Sequence, residues 1–370
     1  MALVAAACGD DDEAGTSDTG AITAAPAETT AAPAETTAAP GGDTTAAPAE
    51  PAPCAQGEVT NVGVAFDAIG RGDGSFNDAA AAGLDRAQGE LGFEVSEQVP
   101  AADGSDRADK LDLLANEGFN PVIAVGFLFS DPLAQVAPQF PDTCFGVIDS
   151  VVDAPNVAGL VFSEQEGSFL VGAAAALKSE TGTIGFVGGL EGDLIKRFEA
   201  GYTAGAKHVN PDIEVLVGYA GSTVDAFNDP AKGKEIALGQ LDGGADIVYH
   251  AAGQTGLGVF EAVKEANDGG TTAWAIGVDS DQGSPDNAGV PNDVKPYILT
   301  SMLKRVDVAV ENTINAVADG TFAAGPQLFD LSVDGVGYST TGGHIDDIAG
   351  QLDELKAQII SGEIEVPETP

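Results

Sequence analysis

Short apolar runs without polar alternation recur along this chain from residue 58 onward, and they restrict its fold more than any other feature. "VGVAF" 62–66, "PVIAV" 121–125, "FGVI" 145–148 and "VAGLVF" 157–162 form one set. "TIGFV" 183–187, "IEVLVGY" 213–219, "DIVYH" 246–250 and "AWAIGV" 273–278 form a second. A strand with one wet face alternates, whereas a strand apolar throughout is covered on both faces, as in parallel sheets between helix layers. Helical stretches lie between the runs, with readable ends. Ser163 and Glu166 in "SEQE" have capping-box spacing. Asp229-Pro230 offers an N-cap followed by proline at the first helical position. A last helix over 346–361 ends before Gly362. The alternation predicts an α/β fold with parallel sheets. Eight or more strands fit one doubly wound sheet, a barrel or two lobes. The long helix near 163–180, with a strand and a Gly-rich turn restarting after it, favours two lobes.

Acidic residues outnumber basic ones 58 to 15, for a net charge of −43. Nucleic-acid phosphates would be repelled, and an anionic ligand would need local compensation. No apolar run approaches the ~18 residues of a membrane span. "MALVAAAC" at 1–8 resembles a lipobox, with Cys8 as the lipidated N-terminus, although Ala5 stands where Leu is usual. Only about half of a 7–15-residue apolar core is present, so the true start is expected upstream, or the segment is trimmed. The competing reading is a frayed end with an incidental cysteine. Residues 9–57 open as "GDDDEAGTSDTG" and continue in near-repeats of "TTAAPAE". They bury too little to offset chain entropy and are expected to be a disordered tether, averaging roughly 40 Å end to end as coil. Cysteine, tether and body together describe a protein lipid-anchored on the extracytoplasmic face of the cell membrane; a secreted protein with a dispensable tail is the alternative. Cys54 and Cys144 each precede a predicted strand (59–66 and 145–148). A disulfide between them fits an oxidising compartment, against two unpaired thiols.

In open α/β sheets ligands bind beyond the carboxyl ends of the strands. After the first strand come Asp67 and "GRGDGSFND", with Phe76, Asn77 and Asp78; after 145–148 comes Asp149. "GGLEGD" after 183–187 leads to Lys196, Arg197 and Phe198. Tyr249 and His250 end another strand before "AAGQTGLG", and "DSDQ" with Asp279 and Asp281 follows 273–278. No Ser-His-Asp order, G-x-S-x-G, H-E-x-x-H, C-x-x-C or P-loop is present, and the aspartates do not form a calcium loop. No catalytic residue, metal ligand or cofactor is expected. "GQTGLG" 253–258 reverses the dinucleotide fingerprint, and serves either backbone approach to a ligand or close strand–helix packing. A planar aromatic, hydrogen-bond-accepting carboxylates and a glycine turn suit a neutral ring-plus-sugar ligand. The competing reading makes Phe76 a hydrophobic plug under a helix and the aspartates helix caps.

Several segments together resemble the basic membrane protein family, the purine nucleoside receptor A type of ABC-transporter substrate-binding lipoprotein. They are "GRGDGSFNDAAAAGLDRA", "GFVGGLEGDLIKRFEAGYTAGAKHVNPDIEVLVGYAGS", "DPAKGKEIALGQLDGGADIVYHAAGQTGLGVFEAVKEA", "AIGVDSDQ" and "LTSMLKRVDVAV", in that order. The resemblance covers 58–366. It implies a type I periplasmic-binding-protein fold: two Rossmann-like lobes with a hinge. Lobe 1 would be 58–162 with part of roughly 280–320 returning to it, lobe 2 would be 163–279, and 320–370 would complete both. The family's ligands are purine nucleosides, and its members perform no chemistry. On matching positions, Phe76 would stack on the base, and Asp67, Asn77 and Asp149 would line its side of the cleft. Gly253, Asp279 and Lys304 would hold the ribose. A second stacking aromatic is not fixed by the match. Tyr249 and Phe198 are candidates, and the apolar helix spacing of Phe198 with Leu194 and Tyr202 reads as core. "GDGSFN" replaces the family's frequent "DDKSFN" and so lacks a lysine beside the cleft. The partners implied are a small-molecule ligand and the permease and ATPase subunits of an ABC importer. Alternatives are the same fold binding riboflavin, a sugar or a small signalling molecule, a nucleoside hydrolase, or a structural surface lipoprotein.

Overall fold

The apolar runs become the inner strands of two parallel sheets. A computed structural model describes residues 54–370 apart from Ala68; Cys8 and the stretch 9–53 lie outside the described residues. The chain first lays down β1 (Asn61–Ala65), α1 (Phe76–Leu91), β2 (Glu94–Gln98), α2 (Arg107–Asn116), β3 (Val122–Ala124), α3 (Ser130–Val136), β4 (Phe145–Ile148) and β5 (Val157–Phe162). It then crosses into α4 (Glu164–Lys178), β6 (Thr183–Leu190), α5 (Asp193–Val209), β7 (Glu214–Gly221), α6 (Pro230–Asp242), β8 (Ile247–Ala251), α7 (Gly256–Asp268), β9 (Trp274–Asp279) and β10 (Ile298–Lys304). A second crossing leads to α8 (Val306–Ala318) and β11 (Gly325–Phe329), and a third to β12 (Val336–Tyr338) and α9 (Ala349–Ile360).

One sheet has the order β11-β5-β4-β3-β1-β2 and the other β12-β10-β9-β8-β6-β7. Every pairing is parallel except β12 on β10, with Met302 opposite Tyr338. The helix α8 packs against α1 and thus covers the first sheet, while α4 packs against α5 and α9 on the second. Since β10 pairs β9 in the second sheet, the chain returns to the first lobe only after Lys304. The part of 280–320 that returns to lobe 1 is α8, and lobe 2, expected to end at 279, runs from α4 through β10.

Strands that escape an apolar-run search have physical reasons to do so. The edge strand β2 is half exposed and reads "EVSEQ". In β10, "ILTSMLK", buried Thr300 donates to the Ser339 carbonyl at 2.6 Å and Ser301 Oγ accepts from Gln282 N at 3.1 Å. Loops satisfy those hydroxyls, so polar residues sit inside the sheet without penalty. Asp229 caps α6 through the Lys232 amide at 2.9 Å, as its sequence predicts. Ser163 makes no side-chain cap on α4; its amide donates instead to the Phe329 carbonyl at 3.1 Å, and the Glu166 carboxylate accepts from Leu331 N at 3.0 Å, so the capping box does not form. At the amino end of β4, Cys144 is disulfide-bonded to Cys54. Residues 55–57 are strapped beside it by Ala55 N to Asp142 O and Gly57 N to Val317 O.

Candidate functional site

The shared order β5-β4-β3-β1-β2 and β10-β9-β8-β6-β7 gives each strand-end loop of one lobe a counterpart in the other. A cleft of about 650 Å³, open mouth included, lies between these loops. Asp149 follows β4 and Asp279 ends β9; both line the cleft, and both have left-handed backbone, φ +65° and +63°. Few residue types accept that conformation, and aspartate is among them. Gly126 after β3 and Gly253 after β8 form a second matched pair at the cleft wall.

The glycine-rich turn before α1 could have cradled an anion. Five of its amides are already taken by the chain's own carboxylates. Asp78 accepts from Gly72 N and Gly74 N, both at 2.7 Å. Asp73 accepts from Ser75 N, Asn77 N and Asp78 N at 2.8–3.1 Å. Arg71, the one cation of the turn, faces outward to Asp85 and Glu97. The loop is therefore largely an N-cap built on its own carboxylates, which presents Phe76 and Asn77 and whose acidic groups oppose a phosphate.

Charge at the floor of the cleft is concentrated on one ammonium. Lys304, 2% exposed at the end of β10, reaches Asp149 Oδ1 at 2.6 Å and Glu164 Oε1 at 3.1 Å. Burial works against its charge, but Asp149, Glu164 and Asp279 outweigh burial and hold its pKa above the usual lysine range. Burial likewise pushes the Glu164 carboxyl up, against the pull of Lys304. The Asp279 carboxyl is pushed up to about 7 by burial, against Lys304 and a 2.8 Å hydrogen bond from Ser75 Oγ. Asp67 pairs with buried Arg107, Nη2 to Oδ1 at 3.1 Å, and its amide donates to Asn77 Oδ1 at 3.1 Å. Lys304 Nζ lies 5.0 Å from the ring centre of Phe162, 5.3 Å from that of Phe76 and 5.5 Å from that of Phe198, so rings from both lobes surround the same ammonium. Such a cluster suits a neutral, donor-rich ligand with a flat apolar part: hydroxyl and N–H groups have carboxylates to meet, and a ring has phenyl faces.

All the expected ligand-facing residues line this cleft except Tyr249. Tyr249 is fully buried in lobe 2, its hydroxyl 3.2 Å from Ser168 Oγ and its ring 5.0 Å from Tyr202. It lies two residues before the end of β8, so it packs beneath the helix layer. Phe198 is buried in the core, as its spacing reads, and also forms part of the cleft wall. In "GQTGLG", Gly253 lines the cleft, whereas a Cβ at Gly258 would fall 1.8 Å from the Pro230 carbonyl oxygen. Backbone approach and helix packing thus fall to different glycines of one motif.

Comparison with known proteins agrees with this geometry. Residues 59–370 match the family model described as ABC transporter substrate-binding protein PnrA-like. The chain belongs to the PnrA-like family of ABC transporter substrate-binding proteins. Among its relatives, a CD4+ T-cell-stimulating antigen of Listeria monocytogenes is 36% identical over 84% of this chain and 88% of its own. The ABC transporter nucleoside-binding protein BmpA of Lactococcus lactis subsp. cremoris is 34% identical over 82% of this chain and 88% of its own. An ABC-transporter solute-binding protein structure from Aeropyrum pernix K1 superposes with a TM-score of 0.74 at 34% identity, covering 83% of this chain and 94% of the other. A PnrA-like protein takes up a small molecule and works with transporter partners, and the two-lobed fold with a cleft at the strand ends is the type I periplasmic-binding architecture.

Several PnrA-like cleft residues escape motif reading. Phe127 follows β3, and Phe227 ends a short 3-10 turn after β7. Both sit in strand-end loops, and a search of those loops for aromatics alone would have found them. Asp73 was visible inside the glycine turn but only the fold shows its caps. Glu164 carries no motif signal, because its partner Lys304 lies 140 residues away.

Proposed function

We propose that this chain is the extracytoplasmic, lipid-anchored solute-binding component of an ABC importer and that its ligand is a purine nucleoside. The observation that carries the reading is the pair of phenyl rings, Phe76 from lobe 1 and Phe198 from lobe 2, that line the cleft beside Lys304. A purine stacks between two such faces, its edge toward Asp67, Asn77 and Asp149. The ribose hydroxyls meet Asp279, Lys304 and the backbone at Gly253. The protein makes and breaks no bond; closing the lobes on the ligand creates the surface that the permease reads. Anchoring falls to Cys8, which leaves the body to capture solute outside the membrane. No helix among the described residues is long and apolar enough to cross a membrane. The nucleoside-binding name of the Lactococcus relative supports the ligand class.

Thermal unfolding of the refolded, ligand-stripped chain against nucleosides, free bases, riboflavin and sugars tests this. A ligand at 100 times its Kd adds about 2.7 kcal/mol. Purine nucleosides are expected to raise the midpoint, and Phe76→Ala to weaken their binding by about 1–3 kcal/mol. A shift with sugars or riboflavin alone, or an affinity indifferent to Phe76, would refute the reading.

A further inference from the structure

The segment after β9, "DSDQGSPDNAG" (279–289), reaches out of lobe 2 to the glycine turn of lobe 1. Gln282 is fully buried at its centre. Its Oε1 accepts from Val278 N at 2.8 Å, which fixes the orientation of the amide, since a backbone N–H can only donate. His250 Nε2 lies 2.9 Å from the same oxygen and therefore carries the hydrogen there. The Gln282 backbone N–H donates to Ser301 Oγ at 3.1 Å. Strands β8 and β9 of lobe 2 thus meet at the Gln282 side chain, and β10 holds its backbone. The remaining donor, Nε2, crosses to the Gly74 carbonyl at 3.2 Å.

Neighbours support the same crossing. Asn287 Nδ2 donates to that Gly74 carbonyl at 3.0 Å, and Ser280 Oγ donates to the Ser75 carbonyl at 2.9 Å. The backbones themselves touch: a Cβ at Gly289 would fall 2.3 Å from Gly74 Cα. None of these groups needs a ligand to complete its bonds.

We infer that Gln282, oriented by His250, is a positioning residue of the binding cleft: it holds the Gly72–Phe76 turn of lobe 1 against lobe 2 and so sets where Phe76 and Asn77 meet the ligand. Gln282 does not itself line the cleft and acts on Phe76 and Asn77 through Gly74. A site held in place by a contact outside it loses affinity for every ligand that uses the positioned ring, by the fraction of time the turn is let go.

Hydrogen exchange on the full ligand-free chain tests this directly, because the amides of Gly72, Gly74, Ser75 and Asn77 are bonded within the turn. Gln282→Met keeps the volume and drops the hydrogen bonds; Asn287→Ala removes one crossing bond from a half-buried position and covers the case in which the first variant does not fold. Both are expected to speed exchange over 72–77 while peptides from β2 and α2 stay unchanged. Unchanged exchange over 72–77 in the folded variants would overturn the inference, as would acceleration spread evenly over the chain. Affinity is the second arm, and only this arm rests on the nucleoside reading. Inosine and hypoxanthine are expected to lose by the same factor, about tenfold for Gln282→Met. A loss confined to inosine would overturn positioning through the base-stacking turn. If wild-type chain binds neither probe, the nucleoside reading fails and the exchange comparison alone decides the role of Gln282.

Discussion

Asp279 shows at the scale of one residue how a binding site works against the fold that carries it. Its carboxyl is buried beside Lys304, Asp149 and Asp73 and hydrogen-bonded by Ser75, and burial raises its pKa from 3.8 to about 7. A carboxyl raised on folding binds its proton more tightly in the folded chain than in the unfolded one. Its contribution to stability is therefore complete below about pH 4 and is lost as pH rises through about 7. The shift corresponds to about 4 kcal/mol at most. Asp279→Asn is expected to flatten the fall in urea midpoint between pH 4 and 8 relative to wild type. Parallel pH profiles for the two proteins would show that the carboxyl is charged throughout. Such a cost persists at a site because the same oxygens, desolvated, grip a hydroxyl more strongly than they could in water.

Among the elements, the entry to α1 is the piece on which the site depends most. Asp73 gathers the Ser75, Asn77 and Asp78 amides and the Asn77 side-chain amide at 2.8–3.1 Å. It thereby supplies partners that the first turn of a helix otherwise lacks. Removing a buried acceptor strands its donors, which costs more than the bond contributes. Asp73→Ala is expected to destabilise the chain by about 2–3 kcal/mol in urea unfolding and to weaken ligand binding with it, because Phe76 and Asn77 are the first residues of that helix. An unchanged unfolding midpoint would mean that water replaces the cap. The reading of this turn as a presenter of Phe76 and Asn77 was available from its residue types. That its amides serve Asp73 and Asp78 required the fold, since both carboxylates could have pointed into solvent.

Across the whole molecule, the strands' two ends are put to different use. Their carboxyl ends meet at the cleft, while the Cys54–Cys144 bridge lies at the amino end of β4 and closes a sequence separation of 90 residues. The bridge ties the start of the described chain to lobe 1 alone. Replacing both cysteines with serine is expected to lower stability by about 2–5 kcal/mol and to leave the ligand-induced rise in midpoint unchanged. A variant that also lost ligand response would show that the bridge supports the cleft from across the sheet. Lobe 2 owes its independence to the crossings at 162–164, 304–306 and 329–331, the only places among the described residues where the main chain passes between the sheets.

Residue order by itself determined the layered α/β class, the inner strands and the loops that face the ligand, because burial on both faces leaves a local trace in every strand and glycine or aspartate marks each abrupt exit. Through the family resemblance it also pointed to Phe76, Asn77, Asp149, Gly253, Asp279 and Lys304, which the fold brings to one cleft. Tertiary structure alone decided which second ring faces the cleft. Tyr249 and Phe198 carry similar local signals, and only the packing of α4 and α5 over β8 keeps Tyr249 away from the cleft and sets Phe198 at its wall. The place where β10 gives way to lobe 1, the pairing of Glu164 with Lys304 and the reach of Gln282 to Gly74 were decided in the same way. The last two join residues more than a hundred positions apart, and no periodicity along a chain records a partner at that distance.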